Sequence, residues 1–171
     1  MKVNEKLDNG PVCNQYQIKI DKNDNYLSLS KKLSHLGADK IVENIKLVLS
    51  NKAIFIKQNH SEATYAKKII KSEGKIQWNE NAKKICAKVN GLYPSPGAWF
   101  EFKNERYKIL KSETSLLNGK PGEVLDNILT VGCGINSIRI LELQKQGKKP
   151  QKTKDFLLGS KIKLGSFLRC D

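Results

Sequence analysis

At 171 residues the chain is long enough for one medium domain or two small ones, and an apolar content of 39% allows a modest core. No apolar run approaches the length of a membrane span, and Met1-Lys-Val-Asn-Glu5 is too polar for a signal peptide, so a cytoplasmic protein with no membrane partner is expected. The net charge of +14 points instead to a polyanionic partner. Cys13, Cys86, Cys133 and Cys170 are widely separated, with no Cys-x-x-Cys pair and only two histidines, so neither a metal site nor a disulfide framework is predicted. The charge is unevenly spread. From Lys67 onward there are 21 Lys and Arg against 10 Asp and Glu, whereas the first 66 residues hold 10 against 7. Lysines outnumber arginines 28 to 3, a bias that an AT-rich coding sequence also produces, but such a bias does not account for the asymmetry. Basic character concentrated in one part of a chain is the footprint of a nucleic-acid binder.

Asn14-Gln-Tyr-Gln-Ile-Lys-Ile20 alternates strictly, which predicts a half-buried strand with Tyr16, Ile18 and Ile20 on one face. Between about Leu27 and Leu49, the residues Leu29, Leu33, Leu36, Ile41, Ile45 and Val48 recur three to five apart and predict an amphipathic helix, adjusted near Gly37. One strand cannot cover that stripe, so a sheet that should precede residue 1 is expected to be missing. Residues 50–75 read as a linker that turns basic at Lys67, Lys68, Lys71 and Lys75. Asn79 is a candidate N-cap for a helix carrying Ala82, Ile85, Cys86 and Val89 on one face and closed by Gly91, and Pro94 and Pro96 forbid its continuation.

Short strands follow. Trp99–Phe102 and Tyr107–Leu110 flank Lys103-Asn-Glu105 as a hairpin, and Pro121-Gly122 turns into Glu123–Leu125. Ile128–Val131 and Ile135–Leu143 are separated by Gly132-Cys-Gly134, with Ile138, Ile140 or Leu141, and Leu143 as interior side chains. Thr153 is a candidate cap for a last helical turn through Phe156 and Leu157. About five short strands with glycine punctuation predict an OB-like small β-barrel, giving an α+β chain overall.

The order Ala63-Thr-Tyr-Ala-Lys-Lys68, Ile76-Gln-Trp78, Gly91-Leu-Tyr-Pro-Ser-Pro-Gly-Ala-Trp99, Leu143-Gln-Lys-Gln-Gly-Lys-Lys-Pro150 and Asp155-Phe-Leu157 resembles the C-terminal half of methionyl-tRNA formyltransferase. Met1-Lys-Val…Lys6-Leu-Asp-Asn-Gly-Pro-Val12 is similar to the family's stretch around Leu-Asp-Thr-Gly-Pro, and Leu33-Ser-His-Leu-Gly-Ala38 to the helix after it. The resemblance runs through nearly the whole chain. It implies three parts: residues 1–58 as an incomplete α/β remnant of the catalytic domain, 59–75 as a basic linker, and 76–171 as an OB-like tRNA-binding domain. It further implies that Met1 matches an internal methionine and that the chain begins partway through a longer ancestral protein.

The family transfers a formyl group from 10-formyltetrahydrofolate to the amino group of initiator Met-tRNA in translation initiation. Its catalytic trio is an Asn and a His from an Asn-x-His…Ser-Leu-Leu-Pro stretch together with the Asp of Leu-Asp-Thr-Gly. Asp8 matches the last of these, with Asn9 in place of the usual Thr, and neither of the other motifs occurs. An amine attacking a formyl carbon needs an oxyanion donor and a proton acceptor, and one carboxylate does not supply both. Asp8 is therefore expected to be a catalytic remnant, with no folate donor bound by this chain. His60 in the linker reads as solvated and His35 as structural. The binding side is better kept: Lys67, Lys68, Lys71, Lys148, Lys149 and Lys152 are the candidate tRNA contacts, acting as point charges on phosphates. Trp78 and Trp99 would stack on bases or pack internally, and their context favours packing. The resemblance thus predicts a tRNA-binding portion, inactive alone, whose binding of initiator tRNA is weak, salt-sensitive and poorly discriminating. The alternatives are half of a split enzyme completed by an upstream polypeptide, a non-functional gene remnant, and a formyltransferase acting on a nucleotide sugar, against which the strong basicity argues.

Overall fold

Ala98–Phe102 (β1) and Glu105–Ser115 (β2) form the predicted hairpin, closed by Lys103 and Asn104 at φ 51° and 63°. Two successive left-handed residues define the type I′ turn whose twist matches its strands. The computed structural model describes residues 1–168, so Cys170 and the end of the expected 76–171 domain lie outside the described residues. The chain resolves into two units, one of residues 1–22 and 28–68 and one of residues 23–27 and 69 onward. The division falls inside the segment read as a linker.

In the second unit Thr130–Gly132 (β3), Ser137–Lys145 (β4) and Gln151–Lys152 (β5) complete a five-stranded antiparallel sheet. The order is β1-β2-β4-β3, with β5 also on β4. This is an open sheet and not the closed barrel that the strand count suggested. Among the described residues the pairing continues beyond β1 as the bridge Lys75↔Trp99, and beyond β3 as Val124↔Val131. Glu123–Leu125 accordingly makes isolated bridges and no strand. The strand expected at Ile128 starts two residues later because the Asp126 carboxylate accepts from the amides of Ile128 and Thr130 (3.0 and 2.9 Å), which places Leu129 at φ 63°.

The helix Ala82–Leu92 (α2) packs Ala82, Ile85 and Val89 on the sheet. Its N-cap is Asn81, whose side chain accepts from the Lys83 amide, two residues later than predicted. Asn79 lies in a turn closed by the Glu80 amide on the Gln77 carbonyl, and the Gly134 amide on the Glu80 carbonyl and the Asn81↔Ile135 bridge hold the chain outside the helix as far as Asn81, so Asn79 does not cap. The helix also passes through Gly91 before ending at Leu92. The core holds Ile76, Trp78, Phe100, Tyr107, Ile109, Ile138, Ile140 and Leu143. A register shift opposite Lys111 places Ile140 and then Leu143 inside, which resolves the choice between Ile140 and Leu141. Thr153 opens the last helix, Thr153–Leu158 (α3), but its hydroxyl donates to the buried Ile140 carbonyl at 2.6 Å and does not cap. Trp78 and Trp99 are both buried, as expected of packing residues.

The predicted helix is present as Tyr26–Leu49 (α1), unbroken at Gly37, with its residues from Ser28 onward in the first unit. None of its residues is buried: Leu33, Ile41, Ile45 and Val48 remain 47%, 54%, 48% and 46% exposed. Residues 14–20 form no strand, because among the described residues no ladder partner lies beside them; only Val12 pairs, with Ile56. The apolar stripe is there as the sequence predicted, and among the described residues no strand of the first unit packs on it.

Candidate nucleic-acid interface

Strand alternation divides the end of the sheet into two faces. From the core side, Glu105 and Tyr107 of β2 and Lys145 of β4 project into a cleft of about 540 Å³. Its rim includes Lys103 of the hairpin turn, Lys148 and Lys149 of the loop after β4, and Lys161. Tyr107 is fixed by stacking on Phe100 (5.4 Å between centroids) and by the edge contact with Phe156 (5.7 Å). Its hydroxyl donates to Glu105 at 2.8 Å, and Glu105 also pairs with Lys145 at 2.7 Å. Burial, with help from that carboxylate, pushes the Tyr107 phenol up to about 12. The Lys145 hydrogen bond, followed by that of Tyr107, holds Glu105 below its ordinary range.

The floor of the cleft is thus an internally satisfied Lys145–Glu105–Tyr107 chain, while Lys103, Lys148 and Lys149 make no ion pair among the described residues. Glu105 and Asp155 are the two carboxylates in the wall. Unpaired ammonium groups around a concave surface raise the local concentration of anions and suit a phosphate backbone.

Lys148 and Lys149 are therefore brought together. Lys152 is directed elsewhere, into a groove with Ile128, Arg139 and Lys154. Lys71 lines a third cleft, with Trp99, Arg106 and Lys108. Lys67 and Lys68 are exposed in the first unit. So is Asp8, at φ 51°, in a cleft of about 1040 Å³ that His60 and Tyr65 also line. Gln58 holds that segment through its backbone, donating to the Asp8 and Gly10 carbonyls at 2.9 and 2.7 Å. Among the described residues no imidazole is hydrogen-bonded to the Asp8 carboxylate. His35 is exposed on its helix. Sequence reasoning missed Lys103, Lys145, Lys161, Arg106 and Lys108. The last two were within reach, since alternation along β2 separates residues 106 and 108 from residues 107 and 109. Lys161 had no such signal, because a loop residue shows no periodicity.

Residues 68–161, which hold this helix and sheet, match the formyl transferase C-terminal domain, and the chain belongs to that family. The particular relatives are methionyl-tRNA formyltransferases. That of Pelagibacter ubique (strain HTCC1062) is 54% identical over 167 residues, 97% of this chain and 54% of that protein. That of Bradyrhizobium diazoefficiens is 39% identical over 170 residues, 97% of this chain and 55% of that protein. The chain spans about half the length of the curated relatives it matches, in agreement with the resemblance to a C-terminal half. Among solved structures, HypX from Aquifex aeolicus aligns with a TM-score of 0.64 over 96% of this chain and 34% of that one. A complex of HypX with tetrahydrofolic acid aligns over 75% of this chain and 26% of that one, with a TM-score of 0.54. At 18% and 16% identity these likenesses concern the fold.

Proposed function

We propose that this chain holds initiator tRNA for formyl transfer to its methionyl amino group, a cytoplasmic step of translation initiation, and contributes no complete catalytic centre of its own. The observation that carries the reading is the cleft with unpaired Lys103, Lys148 and Lys149, on the unit that matches the formyl transferase C-terminal domain. Lys67, Lys68, Lys71 and Lys152 are assigned further phosphate contacts on other surfaces. The domain reading that goes with this is a remnant at 1–58, a basic linker at 59–75 and a tRNA-binding domain from 76. The OB-like reading of that domain rests on the bulged sheet and the bridges at its two edges.

In the reaction the methionyl nitrogen attacks the formyl carbon, and the tetrahydrofolate nitrogen leaves with a proton. Asp8 is the only residue here that matches the catalytic trio, and its carboxylate has no imidazole partner among the described residues. The Asn-x-His and Ser-Leu-Leu-Pro motifs are absent from the sequence, so Asp8 by itself supplies neither the oxyanion donor nor the proton acceptor that the transfer needs.

A second reading is favoured by the bare apolar stripe of helix Tyr26–Leu49: a separate polypeptide covers it and supplies the missing motifs. Formylation of Met-tRNA with 10-formyltetrahydrofolate separates the cases, using the chain alone and then with the polypeptide encoded upstream. Inactivity alone combined with salt-dependent tRNA binding is expected. Activity alone would overturn the claim that catalysis is incomplete. Activity only in the mixture establishes the split enzyme, and a folded chain that neither binds tRNA nor forms active mixtures is a remnant without function.

A further inference from the structure

The outer face of the same sheet carries a second arrangement, whose Arg106 and Lys108 belong to none of the sequence motifs. In the β1–β2 register Trp99 faces Lys108, and in the β2–β4 register Lys108 faces Gln144, so the three form one cross-strand row. In the next row Glu101 faces Arg106, and the Gln146 amide donates to the Arg106 carbonyl. Trp99, Arg106, Lys108, Gln144 and Gln146 enclose, with Lys71, Ser95 and Pro96, a cleft of about 360 Å³. Arg106 lies with its guanidinium carbon 3.8 Å from the Trp99 ring centroid. Trp99 is itself anchored, its indole N–H donating to the Lys71 carbonyl at 3.1 Å. The Lys108 stem passes over Gly97, close enough that a Cβ at Gly97 would meet its Cδ at 2.5 Å.

Three cationic residues therefore line one small cleft, with Arg106 held by packing on Trp99 and the Lys108 stem by packing over Gly97. Arg106 also forms a long ion pair with Glu101, 3.7 Å from its Nη2 and beyond hydrogen-bond length, and both side chains are nearly half exposed. Among the described residues no hydrogen bond from the guanidinium occupies its donors. Arginine is also rare here, at 3 against 28 lysines. Its planar fork matches two oxygens of one phosphate, and stacking on an indole preorganises that fork.

We infer that Arg106, seated on Trp99 and flanked by Lys71 and Lys108, is a phosphodiester-binding fork on the outer sheet face, separate from the Lys148–Lys149 cleft. The inference rests on the tRNA reading above and adds a second phosphate contact to it. The contact positions the strand and reads no bases.

The test measures tRNA binding of the full chain by fluorescence anisotropy across a salt series, for the wild type, Arg106→Gln, Arg106→Lys, Lys108→Gln and a Lys148→Gln/Lys149→Gln pair. Arg106→Gln is expected to weaken binding about tenfold and to lower the salt slope by about one. Arg106→Lys keeps the charge, so the slope is retained while affinity falls roughly threefold for want of the fork. A second readout is the NMR signal of the Trp99 indole N–H, expected to shift with tRNA and, at much higher concentration, with inorganic phosphate. Wild-type affinity, slope and indole signal in Arg106→Gln, with losses confined to the Lys148/Lys149 pair, overturn this fork and leave the proposed function standing. Equal indole shifts with poly-glutamate overturn it as a phosphate site. No tRNA binding by the wild type overturns both.

Discussion

The loop that carries Lys148 and Lys149 is pinned at its far end by one buried hydrogen bond, and that bond can be tested alone. Thr153 Oγ1 donates to the Ile140 carbonyl at 2.6 Å, and Thr153 is 6% exposed. Thr153→Val keeps the shape of the side chain but strands the carbonyl without its donor. Leaving one buried polar group unsatisfied costs about 1–3 kcal/mol. For a protein of this size each kcal/mol moves the thermal midpoint by about 2–4 °C, so a loss of about 2 kcal/mol predicts a fall of roughly 4–8 °C. Thr153→Ser keeps the hydroxyl and loses only a methyl, so it should retain more than half of that stability. Thermal denaturation followed by circular dichroism gives both numbers, and tRNA binding measured below the transition reports on the loop. An unchanged midpoint in Thr153→Val, or equal losses in the Val and Ser variants, refutes the argument that the hydrogen bond holds the loop.

Lys103 sits at φ 51° in the hairpin turn, so Lys103→Gly should raise stability by about 1 kcal/mol while weakening tRNA binding through the lost rim charge, both measurable on one preparation. Glu80 is held below its ordinary pKa chiefly by the Lys84 hydrogen bond, and Asp126 by its bonds to Thr130 and Ile128, burial opposing in both cases. The stability they add is present above their unfolded pKa values and is lost as pH falls through the lower folded ones. Urea midpoints should therefore drop in acid, and Glu80→Gln should flatten that limb. Tyr107 and Cys133 are raised to about 12 from 10.0 and 9.0 by burial, so their contributions are intact below pH 9 and are lost as pH climbs from 9 towards 12. In a spectrophotometric titration one of the five tyrosines should ionise late, and Tyr107→Phe should remove that step. Ile45 is 48% exposed, so Ile45→Lys should change the stability of the isolated chain by less than about 1 kcal/mol yet abolish any active mixture with a second polypeptide.

Periodicity alone indicated a helix between about Leu27 and Leu49, a helix with Ala82, Ile85 and Val89 on one face, and the hairpin around Lys103, because each is set by local sterics and by which face is apolar. The motif order determined the family. What it left open depended on partners distant in sequence. Asn14–Ile20 has the alternation of a strand, but strand formation needs a neighbour, and among the described residues none lies there. Asn79 has the chemistry of an N-cap, but it lies in a turn and Gly134 and Ile135 hydrogen-bond the backbone at Glu80 and Ala82, so Asn81 caps instead. The basic residues behaved likewise. Their number was legible from composition, but the turn after β4 places Lys148 and Lys149 on a cleft with Lys103 and Lys161, and the cross-strand register assembles Trp99, Arg106 and Lys108 on the opposite face. Charge is a property of the chain, whereas convergence of charges is a property of strand register, and only the tertiary structure fixes that register.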